Sequence, residues 1–125
     1  MKYLTTSALL VALCAVPADA ALLKTGTAND PTGMTQYQSD GTTVIPIGGT
    51  AASTSVVFRA FVSNTNSSAT QRLRVEVKPT SQPFTGTGTI ASGSTIVFSG
   101  GVDTVTVTGL VTGETYHWRA RTDAT

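Results

Sequence analysis

The side chains able to do chemistry in this 125-residue chain are few and scattered. His117 is the single histidine and Cys14 the single cysteine. Beyond the N-terminal segment the aspartates are Asp30, Asp40, Asp103 and Asp123. Serine, histidine and aspartate are all present, but no nucleophile-elbow sequence sets a serine at a sharp strand-to-helix turn. The aspartates do not gather into the dense loop that holds calcium, and forming turns is the role expected of them. Gly86-Thr87-Gly88 lacks the strand-to-helix setting of a phosphate loop. Cys14 lies in a leader expected to be removed, which excludes thiol catalysis and thiolate metal sites from the remaining chain. The sequence therefore predicts no enzyme, no metal and no cofactor.

Charge is sparse but locally concentrated. Arg72, Arg74, Glu76 and Lys78 alternate with Leu73, Val75 and Val77. His117, Arg119 and Arg121 alternate with Tyr116, Trp118 and Ala120. A period of two sends one set of side chains to each face of a strand. The cations, Glu76 and His117 are thus expected to point to solvent, and Trp118 into a core. This phase argues against Trp118 as a sugar platform. Net charge is only +1, so nothing in the charge balance suggests nucleic acid.

The elements that must position these residues are strands. Val56, Phe58, Ala60 and Val62 fall on one side of a run, with Arg59 and Ser63 opposite. Val105 and Val107 alternate with Thr104, Thr106 and Thr108. Together with the two cationic runs, four segments keep the period of a half-buried strand, which a disordered Ser/Thr-rich stalk would not. Val44-Ile45-Pro46-Ile47 suits an edge strand because of its proline, and Thr95 to Phe98 suits another strand. Ser39-Asp40-Gly41, Asn64 to Ala69, Pro79 to Pro83 and Ser99-Gly100-Gly101 are turn or loop signals. Gly86 to Gly93 is a small-residue stretch with no assigned element. Short strands spaced by roughly ten residues, with no helical period after the leader, predict an all-β sandwich. No internal repeat is present.

The ends carry separate information. Met1-Lys2, the apolar run Thr5 to Val16, and Pro17-Ala18-Asp19-Ala20 have the charged start, short apolar centre and small residues of a secretory signal cut after Ala20. Residues 1–20 are therefore expected to be a signal peptide of bacterial style, with export through the Sec pathway to the cell surface or medium. Leu13 before Cys14 argues against a lipoprotein. Residues 21–30 are expected to be a lead-in, and 31–125 the domain, without disulfides and without a membrane span after cleavage.

Near the end, Gly109-Leu110-Val111-Thr112-Gly113-Glu114-Thr115-Tyr116 leads into Tyr116-His117-Trp118-Arg119-Ala120-Arg121. A Leu, a Gly turn and a Tyr in this order suit a corner between the two sheets of a sandwich, with the Tyr hydroxyl reaching back to backbone. With Pro31-Thr32, Ser39-Asp40-Gly41 and the strands Val56 to Val62 and Arg72 to Pro79, the chain resembles a fibronectin type III domain, an immunoglobulin-like β-sandwich, of the kind found in bacterial secreted and surface proteins. The resemblance covers about residues 31–125 and rests on Leu110, Gly113, Tyr116 and Trp118 as corner and core.

The resemblance implies a non-catalytic spacer or an interaction and adhesion unit, joined to other domains of a longer chain. It also implies a final strand after the Tyr116 strand. Here Thr122-Asp123-Ala124-Thr125 stands where the turn to that strand is expected, so the last strand is expected to be missing or donated by another chain. The core beside the Tyr116 strand is then expected to be partly uncovered. A self-assembling surface subunit using strand exchange, and a carbohydrate-binding module appended to a secreted hydrolase, are the alternatives. The family topology also makes the two cationic strands neighbours, so Arg72, Arg74, Lys78, His117, Arg119 and Arg121 would share one exposed face. Such a face suits an anionic glycan, or keeps the sheet in water by its long stems.

Overall fold

A computed structural model of the protein describes residues 9–10, 28–65, 69–96 and 100–124. Nine strands and no helix occur among them: β1 (Leu9–Leu10), β2 (Thr32–Tyr37), β3 (Val44–Ile45), β4 (Thr50–Ala51), β5 (Val56–Val62), β6 (Gln71–Pro79), β7 (Ile90–Ala91), β8 (Gly101–Val107) and β9 (Tyr116–Ala124). They form a four-stranded antiparallel sheet in the order β3-β2-β5-β8 and a three-stranded antiparallel sheet in the order β7-β6-β9. The backbone of β1 pairs with β4. Apart from Leu9–Leu10, the expected signal peptide lies outside the described residues, as does the lead-in up to Thr27.

Two sheets that bury residues from both in one cluster are compatible with a β-sandwich. Val56, Phe58, Ala60 and Val62 of β5 meet Leu73 and Val75 of β6, Val105 and Val107 of β8, and Trp118 and Ala120 of β9. The Phe58 and Trp118 rings meet edge to face at 5.1 Å, a geometry that adds to simple burial. The inward sides of these strands are the apolar sides of their alternating patterns, which fixes register against slips of one residue.

The strands depart from the sequence reading in four places. β2 covers Thr32–Tyr37, to which the sequence reading assigned no strand, and a bulge between Thr32 and Thr35 carries Gly33 at φ 65°. Its inward residue is Gln36, which is buried. Trp118 Nε1 donates to Gln36 Oε1 at 2.8 Å, and Gln36 Nε2 donates to the Pro46 carbonyl at 3.0 Å. The stretch Gly86 to Gly93 contains β7. Of the strand expected over Thr95 to Phe98, Ile96 makes a bridge to Gln71, and residues 97–99 lie outside the described residues. β9 runs on to Ala124 instead of turning at Thr122, because Thr122, Asp123 and Ala124 continue the ladder opposite Leu73, Arg72 and Gln71.

Candidate interaction face

The corner comes first because it sets where β9 starts. Leu110 is buried, and its N–H donates to the Thr54 carbonyl at 3.0 Å. The chain then turns, with Glu114 N–H donating to the Val111 carbonyl at 3.2 Å and Gly113 at φ 86°. A side chain at that positive φ would be strained. Tyr116 is buried and its hydroxyl accepts from Val111 N–H at 2.9 Å. This bond fixes the entry of β9 and thereby its phase, with Trp118 inward and His117, Arg119 and Arg121 on the outer face. Trp118 is buried to 2 % exposure, which leaves no ring face for a sugar.

β6 and β9 are neighbours over nine residue pairs, so Arg72, Arg74, Glu76 and Lys78 lie opposite Asp123, Arg121, Arg119 and His117. The expected cations do share one face, but that face is not uniformly open. The loop from Thr80 to Thr89 folds over its centre. Glu76, expected in solvent, is 0 % exposed, and Arg119, also expected in solvent, is 8 % exposed. Glu76 Oε1 accepts from the N–H groups of Thr85 and Gly86 at 2.8 and 2.9 Å. Arg119 Nε donates to Glu76 Oε2 at 2.6 Å. Burial acts to raise the Glu76 carboxyl, but the bonds from Thr85, Arg119 and Gly86 outweigh it and hold the group below the usual carboxylate range. A carboxylate with this many donors has become the anchor of a loop.

The same loop covers His117. Phe84 stacks on the imidazole at 4.0 Å, and Arg119 places its guanidinium 4.7 Å from the Phe84 ring centre. His117 Nε2 donates to the Gln82 carbonyl at 2.8 Å. His117 is thus half-buried under the loop, not simply at the surface. Lys78 lies beside the loop at Gly88, where an added Cβ would come 3.3 Å from Nζ.

Beyond the loop the face is more open. Arg74 pairs with Asp123 through Nε and donates from Nη1 to Thr89 Oγ1 at 2.8 Å. Arg121 Nε lies 2.6 Å from the other Asp123 oxygen. Arg72, directly opposite Asp123, has its Nε shielded from solvent without a hydrogen-bond partner.

The aspartates are not confined to turns. Asp40 does cap one: its carboxylate accepts from the N–H groups of Thr42 and Thr43 and from Thr43 Oγ1 at 2.6 Å. The Thr43 hydroxyl bond leads the causes that lower its pKa to about 2. Asp103, by contrast, sits inside β8 at 2 % exposure. Its carboxylate accepts from Leu73 N–H at 2.8 Å, Ser92 Oγ at 2.6 Å and Ser94 Oγ at 3.1 Å. It occupies the inward phase of β8 and meets a backbone amide of β6 in the opposite sheet. Asp123 lies within β9 as the counter-ion of two arginines. Sequence reasoning missed Gln36, Asp103 and Glu76 as buried polar groups. Their one signal was a polar residue at an apolar phase, which fits Gln36 and Asp103 but not Glu76.

On the outer face of the four-stranded sheet, a 230 Å³ groove is lined by residues including Tyr37, Arg59, Phe61 and Val102. The Arg59 guanidinium already covers the Tyr37 ring at 4.7 Å and donates to the Gly41 carbonyl. Among the described residues no cluster of three or more His, Cys, Asp or Glu side chains could hold a metal ion. The core beside β9, expected to be partly uncovered, is closed: Trp118, Ala120 and Thr122 are buried, with Phe58 and Gln36 of the opposite sheet against Trp118. Comparison with known protein families, with characterised proteins and with solved structures found no match.

Proposed function

We propose that this chain is a non-catalytic, exported β-sandwich module of the fibronectin type III kind, serving as a spacer or interaction unit of a bacterial secreted or cell-surface protein. One observation carries the reading: the groups with catalytic potential are engaged in holding backbone. Asp103 is committed to Leu73, Ser92 and Ser94, Glu76 to Thr85 and Gly86, and His117 to Gln82. A general base must be free to reach a substrate proton, and these three hold a loop and two sheets instead. The pairing orders β2-β5-β8 and β7-β6-β9, with Tyr116 bonded to Val111, support the fibronectin type III assignment.

The experiment is substitution of Asp103 by Asn and His117 by Gln in the secreted protein. The proposal expects changes in thermal stability and unchanged secretion, surface retention and partner binding in whichever context the module sits. Loss of a hydrolytic activity on substitution of either residue, with the melting temperature retained, would replace the spacer reading by an enzyme.

A self-assembling subunit is the second reading. It is favoured by the fact that β6 is the one strand neighbour of β9 among the described residues, because an edge strand is a template for another strand. Sedimentation of the secreted protein decides: salt-resistant oligomers support strand exchange, and a monomer at all concentrations removes it.

A further inference from the structure

We propose that the groove on the outer face of the four-stranded sheet binds a hexuronic acid residue of an acidic polysaccharide, with the carboxylate on Arg59 and a C–H face of the ring on Phe61 and Val102. This groove belongs to the sheet that does not carry β6 and β9, and none of its lining residues lies on the cationic face described above. The inference goes beyond the spacer reading, which stands if it fails.

Backbone geometry opens the groove. β2 and β5 pair at Thr32 with Phe61 and again at Thr35 with Arg59, so Gly33 and Met34 together stand opposite Ala60. The bulge holds Gly33 at φ 65°, which glycine adopts without strain. A Cβ at Gly33 would meet nothing within 4 Å, so the missing side chain leaves open space. Arg59 and Phe61 are two residues apart on β5 and share its outer side, at a repeat of about 7 Å. Arg59 leans away from Phe61: its guanidinium lies 4.7 Å from the Tyr37 ring centre, and its Nη2 donates to the Gly41 carbonyl at 3.1 Å. Phe61 and its cross-strand partner Val102 remain 43 % and 60 % exposed. The space so formed is 230 Å³. That is below the roughly 300–1,000 Å³ of a pocket for a drug-sized ligand, and suits a single ring.

The chemistry of the ligand follows from the lining. Among the described residues Arg59 is the one ionised side chain of the groove, and no carboxylate pairs with it. A guanidinium presents a planar fork that matches carboxylate oxygens. The Tyr37 and Gly41 contacts hold that fork in place before a ligand arrives, which lowers the ordering cost of binding. A fixed positive charge beside an apolar wall calls for a ligand with a carboxylate and an apolar face. A hexuronic acid has both, because the C–H bonds on one face of a pyranose suit the negative face of an aromatic ring. A polypeptide fits less well. Extended peptides join sheets chiefly by adding to an edge, whereas this groove lies over β5, whose two sides are already paired to β2 and β8. The Gly33 carbonyl at the bulge accepts from Thr35 Oγ1 at 3.2 Å.

Affinity electrophoresis of the secreted protein in gels cast with polygalacturonate, alginate or neutral dextran tests it. Retardation by at least one of the two polyuronates, none by dextran, and weakening with added salt are expected. Arg59→Gln should weaken binding about tenfold, the value of one charge-assisted hydrogen bond. Lys78→Gln, which removes the same charge from the other sheet, should leave it unchanged. Val102→Glu sets a negative charge in the groove at an exposed position away from the core, and should abolish retardation with the melting temperature kept. That variant carries the test if Arg59→Gln melts early. Migration unaffected by both polyuronates overturns the proposal. So does equal loss in Arg59→Gln and Lys78→Gln, which would mean diffuse attraction without a site. Arg59-dependent binding of N-acetylphenylalanine, with no retardation by either polyuronate, would assign the groove to a polypeptide C-terminus and overturn it as well.

Discussion

Protonating Glu76 would weaken the acceptor that Thr85 and Gly86 share and leave Arg119 buried without its counter-charge. Its pKa lies below the ordinary carboxylate value in the folded chain. Its contribution is therefore complete above the unfolded value, about 4.3, and is lost as pH falls through the folded one. Asp40 acts in the same direction, from the ordinary range down to about 2. Thermal melts of the parent should be level near neutrality and fall progressively below about pH 4. In Glu76→Gln the loop keeps an acceptor oxygen but Arg119 loses its partner. Breaking a buried pair costs about 3–5 kcal/mol, so the variant should melt lower at pH 7 and fall less steeply in acid. Parallel acid profiles for parent and variant would show that folding leaves the Glu76 carboxyl unshifted.

At the scale of elements, the loop from Thr80 to Thr89 is held first by the Glu76 carboxylate, second by the Phe84 ring against His117 and Arg119, and further by the bonds of His117 to Gln82 and of Arg74 to Thr89. Phe84→Ala removes the second. A partly exposed cation–π contact is worth about 0.5–1 kcal/mol, so the loop should open locally while the β6–β9 ladder stays closed. Hydrogen exchange should accelerate at Thr85 and Gly86 with little change at Val75 or Ala120, and equal acceleration at all four would tie the loop to global unfolding. The strands beneath the loop were legible in the sequence because Leu73, Val75, Trp118 and Ala120 keep a strict period of two. β2 was not, because Gln36 puts an amide at the inward position of Met34-Thr35-Gln36-Tyr37, and only its bonds to Trp118 and Pro46 explain that choice. The burial of Glu76 and Arg119 was illegible for another reason. Alternation tells which side of a sheet a residue takes, but not whether a later loop will lie across that side. The candidate face was thus readable as a set of residues, and its division into a covered half and an open half was not.

Across the whole molecule, Trp118 is the largest side chain that both sheets bury together. Trp118→Ala should cost about 3–5 kcal/mol as a core deletion, with a further about 1–3 kcal/mol for the Gln36 oxygen left without its donor. Losses of this size approach the total stability of a small domain, and circular dichroism should show the variant largely unfolded at 25 °C; a native melting temperature would contradict the packing described here. The two sheets also meet through polar pegs at separate places: Asp103 of β8 into the Leu73 amide of β6, and Trp118 of β9 into the Gln36 side chain of β2. Apolar surfaces can slide over one another with their buried area nearly constant, whereas a hydrogen bond breaks within a small displacement because its geometry is narrow. Two pegs set apart therefore oppose both translation and rotation of one sheet on the other. Under a force that slides one sheet over the other, shear would concentrate on these two bonds before the core parted, making Asp103 and Gln36 the points where the layers resist it.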